Sequence, residues 1–140
     1  MEELLAYAYL IMEGFDLEKL YESRLNELFV ANPCNNDLLE LELLGNNIKD
    51  SLAYIMTHMD YAKMEKDRFG KELMKLLKPI YKSMDIERFG NSMFSLWELL
   101  AGYLQNEEPF FSLAYADDPI SWGDKSQSRE IYEKMLSYYD

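Results

Sequence analysis

The 140-residue chain is short of cysteine, of histidine and of positive charge, and each shortage removes a class of function. Cys34 is the only cysteine, so no intrachain disulfide can form, as is usual in a reducing cytosol. Zinc sites built from Cys and His clusters are excluded with it. A carboxylate-bridged metal bundle wants Glu-x-x-His on two helices, and the single His58, with Ile55 at that spacing, supplies none. Cys34 lies in the turn Asn32-Pro33-Cys34-Asn35-Asn36, where no His partner can be argued for a nucleophile. Glycine motifs that cradle phosphates are absent, so no cofactor is expected. Six Gly, four Pro and the lack of any run of about 18 apolar residues rule out collagen-like and membrane-spanning chains. Met1-Glu2-Glu3-Leu4-Leu5 has no basic stretch before its apolar residues, so it reads as a helix of the mature protein and the chain as cytoplasmic. With 14 Lys+Arg against 26 Asp+Glu the formal charge is −12, which opposes direct contact with nucleic acid or anionic lipid.

Aromatics, by contrast, are plentiful. Eleven Tyr, seven Phe and two Trp set the chain apart from acidic disordered sequences and predict a packed core. Leu4, Leu5, Ala8, Ile11 and Met12 recur with helical spacing up to Gly14, predicting a first helix over 2–13. Asp16 can cap a second helix carrying Leu17, Leu20, Tyr21, Leu25, Leu28 and Phe29, which Asn32-Pro33 ends. Leu39-Glu40-Leu41-Glu42-Leu43 alternates with the period of a strand but holds no β-branched residue, so a short helix from Leu38 is expected, capped by Asn36 or Asp37. Ile48 to Ala62 predicts a long helix that can reach Asp67. Leu73 to Met84 predicts another, kinked or restarted at Pro79, and Asp85 caps a third ending near Gln105-Asn106. Residues 105–124 read as loops around one short helix at Phe110–Tyr115. A last helix over 125–139 turns Ile131, Met135 and Tyr138 inward, with Asp124 or Ser126 as its cap. The expected fold is all-α: a compact single-domain bundle of six or seven helices over 1–140, with an irregular aromatic and acidic segment before the last helix. Arg68-Phe69-Gly70 and Arg88-Phe89-Gly90 repeat at an offset of 20 residues, too short for helical solenoids, and are read as two similar helix starts.

Charge is unevenly distributed along the chain. Residues 1–60 carry 12 acids and 3 bases, 61–90 carry 5 and 8, and 91–140 carry 9 and 3. Lys71, Lys75, Lys78 and Lys82 form a helical row without interleaved aromatics, which reads as a solvated face complemented by acids rather than a nucleic-acid site. Ser51, Tyr54, His58 and Tyr61 fall on one flank of their helix. Between Glu107 and Asp124, acids and large aromatics stand together with little regular period. Phe110 and Phe111 are expected to fasten this segment inward. Glu107, Glu108, Tyr115, Asp117, Asp118, Trp122 and Asp124 are the expected partner-binding residues, because Tyr and Trp dominate interface energetics and acids steer basic partners. The expected function is an acidic module that neutralises a basic protein partner, such as an immunity protein or antitoxin against a nuclease toxin, or an inhibitor that mimics nucleic acid. The protein is expected to be a monomer or a homodimer, the dimer sealed by Tyr138 and Tyr139, and not an enzyme. The alternative is a small helical enzyme or ligand-binding protein with a pocket rimmed by Tyr54, His58 and Tyr61.

Overall fold

A computed structural model describes residues 1–60 and 63–140. These residues are all-helical, in ten segments: α1 (Glu2–Met12), α2 (Glu18–Ala31), α3 (Asn36–Leu44), α4 (Ile48–His58), α5 (Lys66–Ser83), α6 (Ile86–Leu99), α7 (Gly102–Gln105), α8 (Ser112–Tyr115), α9 (Asp118–Ser121) and α10 (Lys125–Leu136). The expected six or seven becomes ten because α9 winds beside the expected short helix, found as α8, and the end of the sixth long helix breaks at Leu100 to leave α7. None of these helices is long and apolar enough to cross a membrane. By their contacts the residues fall into two compact units, Met1–Phe69 and Gly70–Asp140, divided inside α5.

In the first unit every residue from Leu4 to Ile11 is buried, so α1 is apolar all round rather than amphipathic. It packs on α2 and α4, α2 packs on α3, and α3 on α4. Tyr9 meets Phe69 with ring centroids 6.0 Å apart. Only Tyr21 and Leu25 of the expected α2 stripe are buried, and Leu20 is exposed, since it lies about 100° from Tyr21 on the helix. Asp16 does not cap α2: Leu17 holds that position, and its N–H donates to the Phe15 carbonyl at 3.0 Å. Helix α3 begins two residues earlier than expected because Asn35 Oδ1 accepts from the N–H groups of Asp37 and Leu38, at 3.0 and 3.1 Å. Cys34, just before that cap, is exposed. Helix α4 stops at His58 instead of reaching Asp67, with Met59 extended. Thr57 Oγ1 and His58 Nδ1 both bond to carbonyls one turn back, Ala53 at 2.7 Å and Tyr54 at 2.9 Å, and such back-bonding competes with continuing the helix.

In the second unit α6 packs on α8, and α10 on α8 and α9. Helix α5 passes through Pro79 without restarting; Pro79 is exposed near the helix end, while Leu73, Met74 and Leu77 hold the buried side. The two Arg-Phe-Gly triplets occupy the third to fifth residues of α5 and α6, the similar helix starts that the repeat suggested. A Cβ on Gly70 would collide with the Tyr139 hydroxyl, and one on Gly90 would come within 2.9 Å of Asp117 Cβ. Around Phe89, Tyr81 and Tyr132 pack edge-on with centroids 5.2 and 5.0 Å away, geometry worth about 0.5–1.5 kcal/mol per pair beyond burial. The buried residues of α10 are Ser128, Tyr132, Met135 and Leu136; Ile131 is half-buried, and Tyr138 lies past the end of the helix, exposed.

One ion cluster ties the chain start to two later helices. Arg24 Nε and Nη2 donate to the two oxygens of Glu3 at 2.6 and 3.2 Å, and Arg68 Nη2 adds a bond at 3.3 Å. The Arg24 hydrogen bond, ahead of the other contributions, holds the Glu3 carboxyl below its usual range. Its contribution is therefore present above the unfolded carboxylate pKa and is lost as pH falls through the lowered folded value. Glu3→Gln is expected to cost about 1 kcal/mol in urea unfolding at neutral pH. The gap to wild type should close at acid pH; a gap that persists there would disprove the charge origin.

Candidate protein-binding surface

The segment 105–124 owes its order to short-range bonds. Phe111 N–H donates to Glu107 O at 2.8 Å and Ala116 N–H to Ser112 O at 2.9 Å, winding α8. Pro119 in the first turn of α9 has no N–H to satisfy. Gly123, at φ +85°, reverses the chain, and Asp124 Oδ1 accepts from Gln127 N–H at 3.0 Å to cap α10. Asp124 is thus a predicted partner residue engaged as a helix cap.

Successive residues on a helical turn diverge by about 100°, so Phe110 and Phe111 cannot both face inward. Phe110 is buried; Phe111, expected inward, is 40% exposed and stacks obliquely on Tyr115 with centroids 5.2 Å apart. Glu108 is knitted to the same turn: Ser112 Oγ donates to its Oε2 at 2.6 Å and Tyr115 OH to its Oε1 at 3.3 Å. Glu107, Glu108 and Asp118 are exposed, and among the described residues no basic side chain pairs with Glu108 or Asp118. Trp122 is 64% exposed, between α9 and Asp124. Of the predicted residues, Asp124 is exposed but engaged as a cap, and Asp117 turns its Oδ1 inward.

Asp117 belongs to a buried polar group that the sequence reading missed. Its Oδ1, the Ser128 hydroxyl and the Tyr132 hydroxyl are all buried without a hydrogen-bond partner among the described residues. Tyr132 OH lies 3.4 Å from where a Gly90 Cβ would stand, beside Asp117. Burial, joined by the neighbouring Asp118 charge, pushes the Asp117 carboxyl up, and burial with the Asp117 charge pushes the Tyr132 phenol up. The sequence did hold a signal, the repeated Arg-Phe-Gly whose glycines mark close approaches.

The alternative site lies in the first unit. Tyr54 and His58 stack with centroids 3.9 Å apart and planes 18° off parallel, and Tyr54 OH donates to Asp37 Oδ1 at 2.9 Å. That bond raises the Tyr54 phenol above its usual range. His58 Nδ1 donates to the Tyr54 carbonyl at 2.9 Å, which fixes the ring over Tyr54. With Leu44, Asp50, Ala53 and Thr57 these two rings line a cleft of about 320 Å³. Ser51, expected on the same flank, is fully buried, and Tyr61 lies outside the described residues. The lysine row divides: Lys71, Lys75 and Lys82 are exposed, and Lys78 Nζ pairs with Asp140 at 2.8 Å. Among the described residues no three His, Cys, Asp or Glu side chains converge to hold a metal. Comparison of the chain with protein-family models, curated proteins and solved structures found no match, so its class is defined by fold and surface alone: an acidic all-α protein.

A carboxyl raised by burial binds its proton more tightly in the folded chain, so Asp117 costs stability as pH rises from the unfolded carboxylate range through its folded value. Asp117→Asn is expected to stabilise the protein at neutral pH by up to about 1 kcal/mol, allowing for screening at a half-open site. Thermal unfolding at neutral and at acid pH checks this: the gain should vanish at acid pH, and a neutral-pH loss would refute the burial cost.

Proposed function

We propose that the protein is an acidic protein-binding module that neutralises a basic protein partner in the cytoplasm, in the manner of an immunity protein or antitoxin acting on a nuclease toxin. The observation that carries the reading is Trp122, 64% exposed at the end of a turn whose Asp118 has no basic partner among the described residues. Leaving a large aromatic in water forgoes about 2 kcal/mol of burial, which a partner's pocket recovers. Glu107 and Glu108 lie on the same segment, as do Phe111 and Tyr115, so apolar anchors and steering charge come from one stretch of chain. The net charge of −12 speeds encounter with a basic target and is screened by salt. A nuclease channel that holds phosphates is one such target, which the acids would occupy as a nucleic-acid mimic.

Purified protein used as bait in native lysate, at low and high salt, tests the reading. Basic proteins should be retained at low salt and released at high salt, and Trp122→Ala should weaken retention at least about tenfold. Retention that ignores both salt and Trp122, or a bound set without basic proteins, would overturn it.

The cleft at Tyr54 and His58 favours a second reading, ligand binding or catalysis in the first unit, with the stacked Tyr54 and His58 rings lining the ligand. A metabolite thermal-shift screen should then yield hits that His58→Ala abolishes; hits indifferent to His58 would remove it.

A further inference from the structure

The Leu-Glu alternation of residues 39–43, odd for a helix, becomes informative once α3 is seen to be one. At about 100° per residue, leucines two apart cannot share a helix face. Leu38 and Leu41 are buried, and Leu39 and Leu43 fall on the opposite side, 40% and 72% exposed and one turn apart. A helix apolar on both faces has one face that the first unit leaves uncovered. Exposed Glu40 flanks the two leucines on one side, about 60° round the helix from Leu43, while Glu42, about 60° from Leu39 on the other side, buries its Oε1 without a hydrogen-bond partner and raises the Tyr21 phenol. Helix α3 contains Asp37, Glu40 and Glu42 and no basic residue, and no base pairs with Glu40 or Glu42 among the described residues. Residues 1–69 hold 14 acids and 6 bases.

We infer that the outer face of α3 docks a basic amphipathic helix of a protein partner, whose apolar stripe covers Leu39 and Leu43 while Lys or Arg on its border meets Glu40. Charge decides between occupants. A second copy laid on this face would set Glu40 against the same acid and one acidic unit against another, a like-charge pairing that opposes association. A helix with bases flanking its stripe turns the Glu40 border favourable. The inference takes from the proposed function only the basic character of the partner, and uses a different surface, in the other unit.

The probe is a fluorescein-labelled helical peptide of about four turns with leucines at i, i+3, i+4 and i+7 and lysines elsewhere, followed by anisotropy at low salt. Full-length protein should bind it, the Leu39→Gln/Leu43→Gln double variant at least about tenfold more weakly, and the same peptide with glutamates for lysines not at all. Leu43→Arg, a single change at a highly exposed position, gives an independent second variant and should weaken binding likewise. Trp122→Ala should bind as wild type, which separates this surface from the Glu107 to Asp124 segment. Absence of peptide binding, equal binding by both leucine variants, or loss of binding with Trp122→Ala alone would overturn the inference. So would a concentration-dependent dimer, seen by light scattering, that the leucine changes abolish.

Discussion

The close approach at Gly90 is the constraint on which the second unit rests. A side chain there would press on Asp117 Cβ and on the Tyr132 hydroxyl, so the start of α9 and the middle of α10 reach α6 only because Gly90 has none. Tyr132 then completes the aromatic group with Phe89 and Tyr81, and Asp117 comes inward with its charge. Packing wins over polar satisfaction at this point. A buried hydroxyl or carboxyl oxygen left without a partner costs about 1–3 kcal/mol, against several rings buried in return. The same approach fixes the chain between α8 and α10, and so determines that Asp118 and Trp122, and not Asp117, face the solvent.

The class of the fold was legible because it depends on periodicity, which the chain shows over most of its length. Errors collected where side chains compete with the backbone or where one turn of helix is too short to show a period. Thr57 and His58 ended α4 through bonds to carbonyls, a competition that an apolar stripe running past them does not register. Within residues 105–124 the period shows α8 but not α9, because a four-residue helix presents one residue per direction. Of the candidate surface, the exposure of Trp122 and the inward Phe110 were open to sequence reasoning, while the inward Asp117 depended on a glycine 27 positions earlier. The strand-like alternation at 39–43, lacking β-branched residues, reads as a helix, yet its consequence, leucines on two faces, needs the neighbours of α3 to show which face is covered.

Electrostatics in this chain divides into satisfied and unsatisfied acids. Glu3, gripped by Arg24 and Arg68, and Asp124, capping α10, are engaged in holding the fold. Exposed Glu40 and Asp118, and Glu108 beyond its bonds from Ser112 and Tyr115, have no basic partner among the described residues. Exposed ion pairs contribute little individually, so leaving such acids unpaired costs the fold little. Their field acts outward, and the uncovered leucines and tryptophan lie beside them.

Cys34, alone and exposed one residue ahead of the Asn35 cap, makes the chain chemically addressable at a single point. A thiol-reactive group attached there stands at the mouth of α3 without replacing any of its side chains. Oxidation, in turn, has only one product available between chains: a symmetric pair joined thiol to thiol at the same turn, so covalent dimers formed in air carry one geometry of linkage and not a mixture.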